Sequence, residues 1–258
     1  MAGSRRREDI LAEAGDFEAA IWRSLESVSG EQGRYAIPAS PYRRMDAGAV
    51  GSMVADYPLQ LTAADDARIG RTLEFLLENC FYKGAFFQDM IHSGINIYLT
   101  LDIAQTLLRR GDTRFRELIR ACADMASPTG QWPEAIHPIT GGGCMGDGQH
   151  GWAAAEWVMM MRNLFVREEG CRLVLGEGIF PEWLRTGEMI GFGPTPTPWG
   201  FVSVDFTAEQ RGLWVNLDIE QEKPERQPEA TVLAVPGYQE RRICGAVRES
   251  FFLESLHS

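Results

Sequence analysis

The 258-residue sequence predicts a mainly α fold: three helical hairpins followed by a small antiparallel β-module. Three observations predict it. Helical periodicity dominates residues 1–170, in segments that alternate between amphipathic and apolar. The links between these segments alternate between short and long. From Cys171 onward the pattern changes to period-2 runs separated by turn residues.

The amphipathic segments are 8–28, 65–80 and 113–126. In the second, Ile69, Leu73, Leu76, Leu77 and Cys80 recur at helical spacing, with Asp65, Asp66, Arg68, Arg71 and Glu74 between them. In the third, Phe115, Leu118, Ile119, Cys122 and Met125 form the stripe while Arg114, Arg116, Glu117 and Arg120 face water. The segments between them, 46–57, 93–108 and 149–165, are apolar nearly all round and rich in small residues. A helix without a continuous polar face has to be surrounded by protein, so the order outer, inner repeats three times. Trp157 and the Met159–Met161 run are expected in the core. Glu156 is the exception in that last segment, and a buried carboxylate needs a partner, here expected to be an arginine.

Inner-to-outer links are short, at 58–64 and 109–113. Outer-to-inner links are long, at 29–45, 81–92 and 127–148, and rich in Gly, Pro, aromatic and polar residues. In antiparallel hairpins alternate links lie at the same end, so the three long loops gather on one face, and long loops in a compact helical domain are usually functional. After the helices, CRLVLG, FVSVDF and LWVNLDI alternate well and ATVLAV less well, with Pro194, Pro196 and Pro198 marking a loop. The expected division is a hairpin domain over 1–170 and, over 171–258, a β-module ending near residue 236 with a tail.

Composition narrows the function. Apolar residues make up 45% of the chain, enough for a sizeable core. The net charge of −11 (25 basic against 36 acidic residues) argues against a nucleic-acid binder, which needs a basic face, and against a protein that docks on anionic lipid. Cys80, Cys122, Cys144, Cys171 and Cys244 are odd in number and form no CxxC pair, which predicts reduced thiols rather than a disulfide framework. The start MAGSRRREDI lacks an apolar signal region, and the apolar stretch Trp152–Met161 is too short to span a bilayer. A soluble cytoplasmic protein is expected.

The densest chemistry lies between Ser127 and Trp157, which brings together Trp132, Glu134, His137, Asp147, Gln149, His150 and Trp152. An indole offers an apolar face to a ring-shaped substrate, while amide, imidazole and carboxylate groups fix hydroxyls. That combination suits a sugar. His92 and Asn96 open the second inner segment, behind Ser93 as the expected cap, and serve either sugar hydroxyls or structural hydrogen bonds. Asp46 stands at the entrance of the first inner segment, where it is a preferred N-cap as well as a candidate sugar contact. Arg43 and Arg44 suit an acidic group or a surface salt bridge. His137, Cys144, Asp147 and His150 lack a CxxC or HExxH spacing, so no metal is expected, and GGGCMGDG lacks the GK[ST] of a phosphate loop. No cofactor is expected.

On Trp132-Pro133-Glu134, Thr140-Gly141-Gly142-Gly143 and Gln149-His150-Gly151-Trp152, the chain resembles the C-terminal half of six-hairpin α/α-barrel glycosidases, the superfamily of glucoamylases, trehalases and related disaccharide phosphorylases. LVLGEGIFPEWLRTGE and TPTPWGFVSV are similar to the strands that cap such barrels, so the resemblance covers most of residues 35–236. It implies half of an α/α toroid and an inverting glycoside hydrolase with Glu134 as general base. It further implies a sugar subsite shaped by Trp132, His137, Gln149, His150 and Trp152, and a carboxylic acid roughly 6.5–9.5 Å from the base. In glucoamylase-like members that acid lies upstream of the segment matched here; Asp46 and Asp89 are the acids on the loops present. Three hairpins cannot close a ring. A lone copy would therefore expose apolar inner helices, calling for a second copy or an N-terminal half-barrel. Two other readings are a non-catalytic half-barrel that binds carbohydrate or protein, and a disaccharide phosphorylase-like enzyme.

Overall fold

Asp66 opens one helix by accepting hydrogen bonds from the main-chain N–H groups of Arg68 and Ile69, and Asp46 opens another by accepting from Gly48 N–H. These caps start two of the expected segments close to where the sequence places them. A computed structural model describes residues 2–32, 36–90, 93–146, 148–221, 225–244 and 248–256. Its helices are α1 (Ala2–Gln32), a 3₁₀ helix (Ala47–Ala55), α2 (Ala67–Asn79), α3 (Ile97–Arg109), α4 (Phe115–Asp124) and α5 (Gly151–Phe165), with a 3₁₀ turn at Pro181–Trp183.

The architecture is α+β, with 36% of residues helical and 28% in strands, and this overturns the mainly α expectation. Three causes account for it. The long loops after α2 and α4 form strands rather than irregular coil. The C-terminal β region begins at Val166, directly after α5, and the expected tail supplies two more strands. The first inner segment is 3₁₀ rather than α, in keeping with Gly48 and Gly51 inside nine residues, each unfavourable by about 1 kcal/mol in an α-helix.

The alternation of outer and inner helices is present with two differences. α2 and α4 bury their predicted stripes, including Ile69, Leu73 and Leu76 on one and Phe115, Leu118, Ile119 and Cys122 on the other. α3 is buried on almost every side. α5 buries Ala153, Met160 and Leu164, but leaves Gly151, Trp152, Ala154, Ala155, Val158 and Met159 open; Val158 is 61% and Met159 37% exposed. The expected burial of Met159 is therefore corrected, because among the described residues no further helix covers that side. α1 is solvated along most of its length, with Ile10, Leu11 and Phe17 exposed, and is anchored near Trp22, whose ring lies 4.5 Å from the Arg68 guanidinium.

The loop strands are β1 (Phe81–Tyr82), β2 (Ala85–Gln88), β3 (Gly94–Ile95), β4 (Ala135–Ile136) and β5 (Gly143–Met145), antiparallel in that order. A second sheet takes β6 (Val166–Glu169), β7 (Arg172–Leu175), β11 (Ala230–Leu233) and β12 (Arg241–Ile243) in the order β12-β11-β7-β6. Its β11–β7 pair is parallel, which corrects the expectation of a purely antiparallel module. The third, antiparallel sheet orders β13 (Arg248–Glu254), β10 (Gly212–Glu220), β9 (Gly200–Glu209) and β8 (Met189–Thr197). Period-2 alternation sends Val202, Val204, Phe206 and Ala208 of β9 inward with Leu213, Val215, Leu217 and Ile219 of β10. One continuous hydrophobic cluster runs from the helices into these sheets.

At the C-terminal end of α3, charged groups lock the helices to β6. Arg109 pairs with Asp56 at 2.7 Å and with Glu169 at 2.6 Å, and Arg167 pairs with Glu169 and Glu177. Arg162 of α5 holds Glu168 at 2.7 Å. Among the described residues no helix is long and apolar enough to cross a membrane.

Candidate functional site

The five-stranded loop sheet gathers two of the three long connections, and the third closes on it. Arg43 donates to Met90 Sδ at 2.9 Å, next to the β2–β3 turn, and to Asp46 at 2.6 Å. The sheet is fastened to the first turn of α3, because Phe86 N–H donates to Thr100 Oγ1 at 2.9 Å and Asn96 N–H to Phe86 O at 2.9 Å. It is fastened to the start of α5 as well, where His150 N–H donates to Trp132 O at 2.8 Å. All three connections therefore lie at the N-terminal end of the inner helices.

Glu134 sits just before β4 in this arrangement. The Asn96 side-chain amide donates to its main-chain oxygen at 2.9 Å. Gly146 lies against its side chain, in the left-handed conformation (φ 66°) that favours glycine. A Cβ at that position would come within 3.2 Å of Glu134 Oε2. Beyond Glu134 lies Tyr98, whose phenol is held above its ordinary pKa, first by burial and then by the negative charges of Glu134 and Asp102. The Tyr98 ring packs against His150 at 4.9 Å and Trp152 at 4.7 Å. Trp152 is 53% exposed and presents an open aromatic surface next to Tyr98.

One turn further along the helices, Glu156 comes within interaction range of Trp152 and of Asp102 of α3, and its Oε2 is buried without a hydrogen-bond partner. The expected arginine partner of Glu156 is therefore corrected to a second carboxyl group. Burial, followed by the Glu156 charge and hydrogen bond, pushes the Asp102 carboxyl up to about 8. Burial also raises Glu156.

Several predicted site residues make structural contacts. Trp132 is 5% exposed, donates its indole N–H to Cys122 O at 2.9 Å and packs on Trp157 at 5.3 Å, so it supports the loop from below and offers no face to a ligand. His137 Nδ1 accepts the N–H groups of Ile139 and Thr140, each at 3.2 Å, and shapes the turn into β5. Asn96 is buried and acts on the Glu134 main chain. It is also the N-cap residue of α3; Ser93, expected to cap, instead hydrogen-bonds Met90 O at 2.8 Å. Asp46 is occupied as N-cap and as the partner of Arg43. Gln149 is exposed at the entrance of α5, and His150 turns its ring onto Tyr98 with Nδ1 buried and without a hydrogen bond. His92 and Asp147 lie outside the described residues.

Asp89 borders a cavity of about 330 Å³ walled by Phe81, Tyr82, Phe87, Pro138 and Ile139 at the outer end of the sheet. Its charge and that of Asp46 add to burial in pushing Cys80 up to about 11, which makes that thiol a poor nucleophile. Among the described residues no three His, Cys, Asp or Glu side chains converge as a metal site. Tyr98 and Asp102 were missed in the sequence because both stand inside a segment that reads as apolar. The available signal was their i, i+4 spacing, which puts them on one helix face with Glu156 opposite.

No family model matches the chain, and no curated protein sequence matches it. Among solved structures it is similar to structures named glycosidase, one as wild type and others as point variants, each at 19% identity and a TM-score of 0.38. Each match covers 57% of this chain, and the chain spans 38% of the length of those structures.

Proposed function

We propose that the chain is a carbohydrate-active hydrolase, with Glu134 as the general base of an inverting glycosidase. The observation that carries this reading is that Asn96 holds the Glu134 main chain at the start of α3 at 2.9 Å, two residues before Tyr98, on whose ring the open Trp152 indole packs at 4.7 Å. An exposed indole suits the apolar face of a pyranose. The Glu134 carboxylate accepts a proton from a water attacking the opposite face of the anomeric carbon. Asn96 and Gly146 fix that carboxylate from two sides, one through the main chain and one by leaving space for the loop. The subsite is assigned to Trp152, Tyr98 and His150, with Gln149 at its rim and Trp132 as its support.

Glu134→Gln tests the assignment because it removes the base while keeping the shape. Turnover on a panel of glycosides should fall by about 100-fold or more, the usual contribution of a positioned base. Sugar binding measured by calorimetry should be retained. Unchanged turnover removes Glu134 from the mechanism. A non-catalytic binding protein is favoured by one observation, the exposure of Trp152, Ala154, Ala155, Val158 and Met159 along α5. Sugar binding without turnover in the unmodified protein would decide for that reading.

A further inference from the structure

We propose that the cleft between the β1–β2 hairpin and the Pro138–Ile139 segment is a binding site for a small organic ammonium ion. Asp89 supplies the counter-charge, and the Tyr82 and Phe87 rings supply the walls. The site does not depend on the reading of Glu134 as a general base.

The hairpin builds the cleft. Lys83 and Gly84 both have positive φ, 55° and 79°, which closes β1 onto β2 through a two-residue turn. In that register Tyr82 faces Ala85, and strand alternation puts Phe87 on the same face of the sheet. The two rings meet edge to face, 6.4 Å apart and inclined by 62°, and so form two walls of a corner. Pro138 and Ile139 complete the lining. Lys83 Nζ donates to Pro138 O at 2.7 Å, which ties the hairpin turn to that segment and sets the cleft with the chain's own bonds. The enclosed volume of about 330 Å³ lies at the lower end of the range for small-molecule sites. Its mouth is open to solvent, with Tyr82 46% and Ile139 82% exposed.

Charge selects the occupant. Asp89 lines the cleft, and among the described residues no cation is paired with it. The neighbouring guanidinium, Arg43, is taken up by Asp46 at 2.6 Å and by Met90 Sδ at 2.9 Å. Cys80, also in the lining, has its thiol pushed up to about 11 by burial and then by the charges of Asp89 and Asp46, so that wall adds no charge of its own at neutral pH. An aromatic face attracts a cation through its quadrupole. Tyr82 already does so with the Lys83 ammonium, 5.6 Å from its ring centroid, although Lys83 is held by Pro138 and does not line the cleft. A neutral apolar ligand would strip water from Asp89 without replacing it, and an anion would meet that charge directly. An ammonium ion on a compact apolar body satisfies the carboxylate and the rings together, and the net charge of −11 draws cations to the surface.

Choline and 3,3-dimethylbutan-1-ol test the proposal, because they share a shape and differ in charge. In calorimetric titrations of the full chain, choline should bind in the millimolar range or tighter. The alcohol should bind about tenfold more weakly or worse, because it lacks both the ion pair and the cation–π contact. Asp89→Asn should weaken choline binding about tenfold while leaving the alcohol unchanged. Tyr82→Leu should weaken choline about fivefold, the effect of losing one cation–π wall. Both residues are exposed, so neither substitution opens the core, and urea unfolding of the variants should match that of the unmodified protein. Equal binding of choline and the alcohol, or choline binding untouched by Asp89→Asn, overturns the ammonium assignment. No choline binding in the millimolar range overturns the site itself.

Discussion

The side-chain amide of Asn96 holds the main-chain oxygen of Glu134 at 2.9 Å, joining the residue that opens α3 to the residue that precedes β4. Because the bond goes to the backbone, it sets where the carboxylate begins without touching its charge. Asn96 thus works as a positioning residue, and its burial means that water cannot take over the bond.

Asn96→Ala should therefore cost about 1–3 kcal/mol, the range for leaving a buried polar group unsatisfied. Amide hydrogen exchange should quicken at Ala135 and Ile136, and kcat should fall with KM little changed. Native-like protection of both amides in the variant would show that the β4 ladder alone places Glu134.

The two tryptophans of the motif make opposite predictions. Trp132→Ala empties a buried site and should destabilise the fold by about 3–5 kcal/mol. Trp152→Ala removes a half-exposed ring and should cost about 1 kcal/mol or less, as for surface substitutions generally, yet abolish sugar binding. Urea unfolding and calorimetry with a sugar panel separate these outcomes. Retained sugar binding in Trp152→Ala would rule out its ring as the platform.

Burial periodicity explains what was legible. The stripes of α2 and α4 were readable because their other faces are charged, and β9 and β10 because alternation needs only a few residues. Convergence of the long loops followed from the alternation of link lengths, and the loop sheet, with Arg43 reaching Met90, shows it. Strands of two to four residues such as β3 and β4 carry too little pattern to be read, so the loops looked irregular and the fold looked mainly α. The parallel β7–β11 pair joins segments more than fifty residues apart, which local sequence does not encode. At the site, the placement of Glu134 on a long connection that closes on the inner helices was legible from the link lengths. The roles of Trp132 and Trp152 were not, because a local motif does not say which indole the helices cover.

At the far end of α3, Arg109 and Asp56 form a buried pair whose side chains are 2% and 0% exposed. Burial pushes the Asp56 carboxyl up, and the Arg109 charge opposes that shift. Arg109→Met should destabilise the protein by about 3–5 kcal/mol, since it leaves a buried acid without its cation. Adding Asp56→Asn should recover part of that loss. Equal unfolding midpoints for the single and double variants would show that the cost comes from lost packing of the Arg109 stem rather than from the stranded charge.

The Asp102–Glu156 pair sets a pH dependence whose sign follows from its raised affinity for a proton. An unfolded aspartate releases its proton near pH 4, whereas folded Asp102 keeps it up to about 8. The folded state thus binds the extra proton between those limits, and the stability it brings is present below about pH 4 and lost as pH rises through about 8. Ionising the pair sets a second negative charge against Glu156. It also acts on Tyr98 of α3 and on Tyr57 beyond the 3₁₀ helix, whose phenol is already raised by burial and by the charges of Glu156 and Asp102. Arg162 opposes that shift of Tyr57, while Glu168 adds to it. Asp102→Asn removes the titration. Urea unfolding between about pH 5 and about pH 9 should show the unmodified protein losing stability relative to the variant by more than about 1.4 kcal/mol, the equivalent of one pKa unit. Parallel stability curves would mean that Asp102 titrates alike in the folded and unfolded chains, and the pair would then hold no proton at neutral pH.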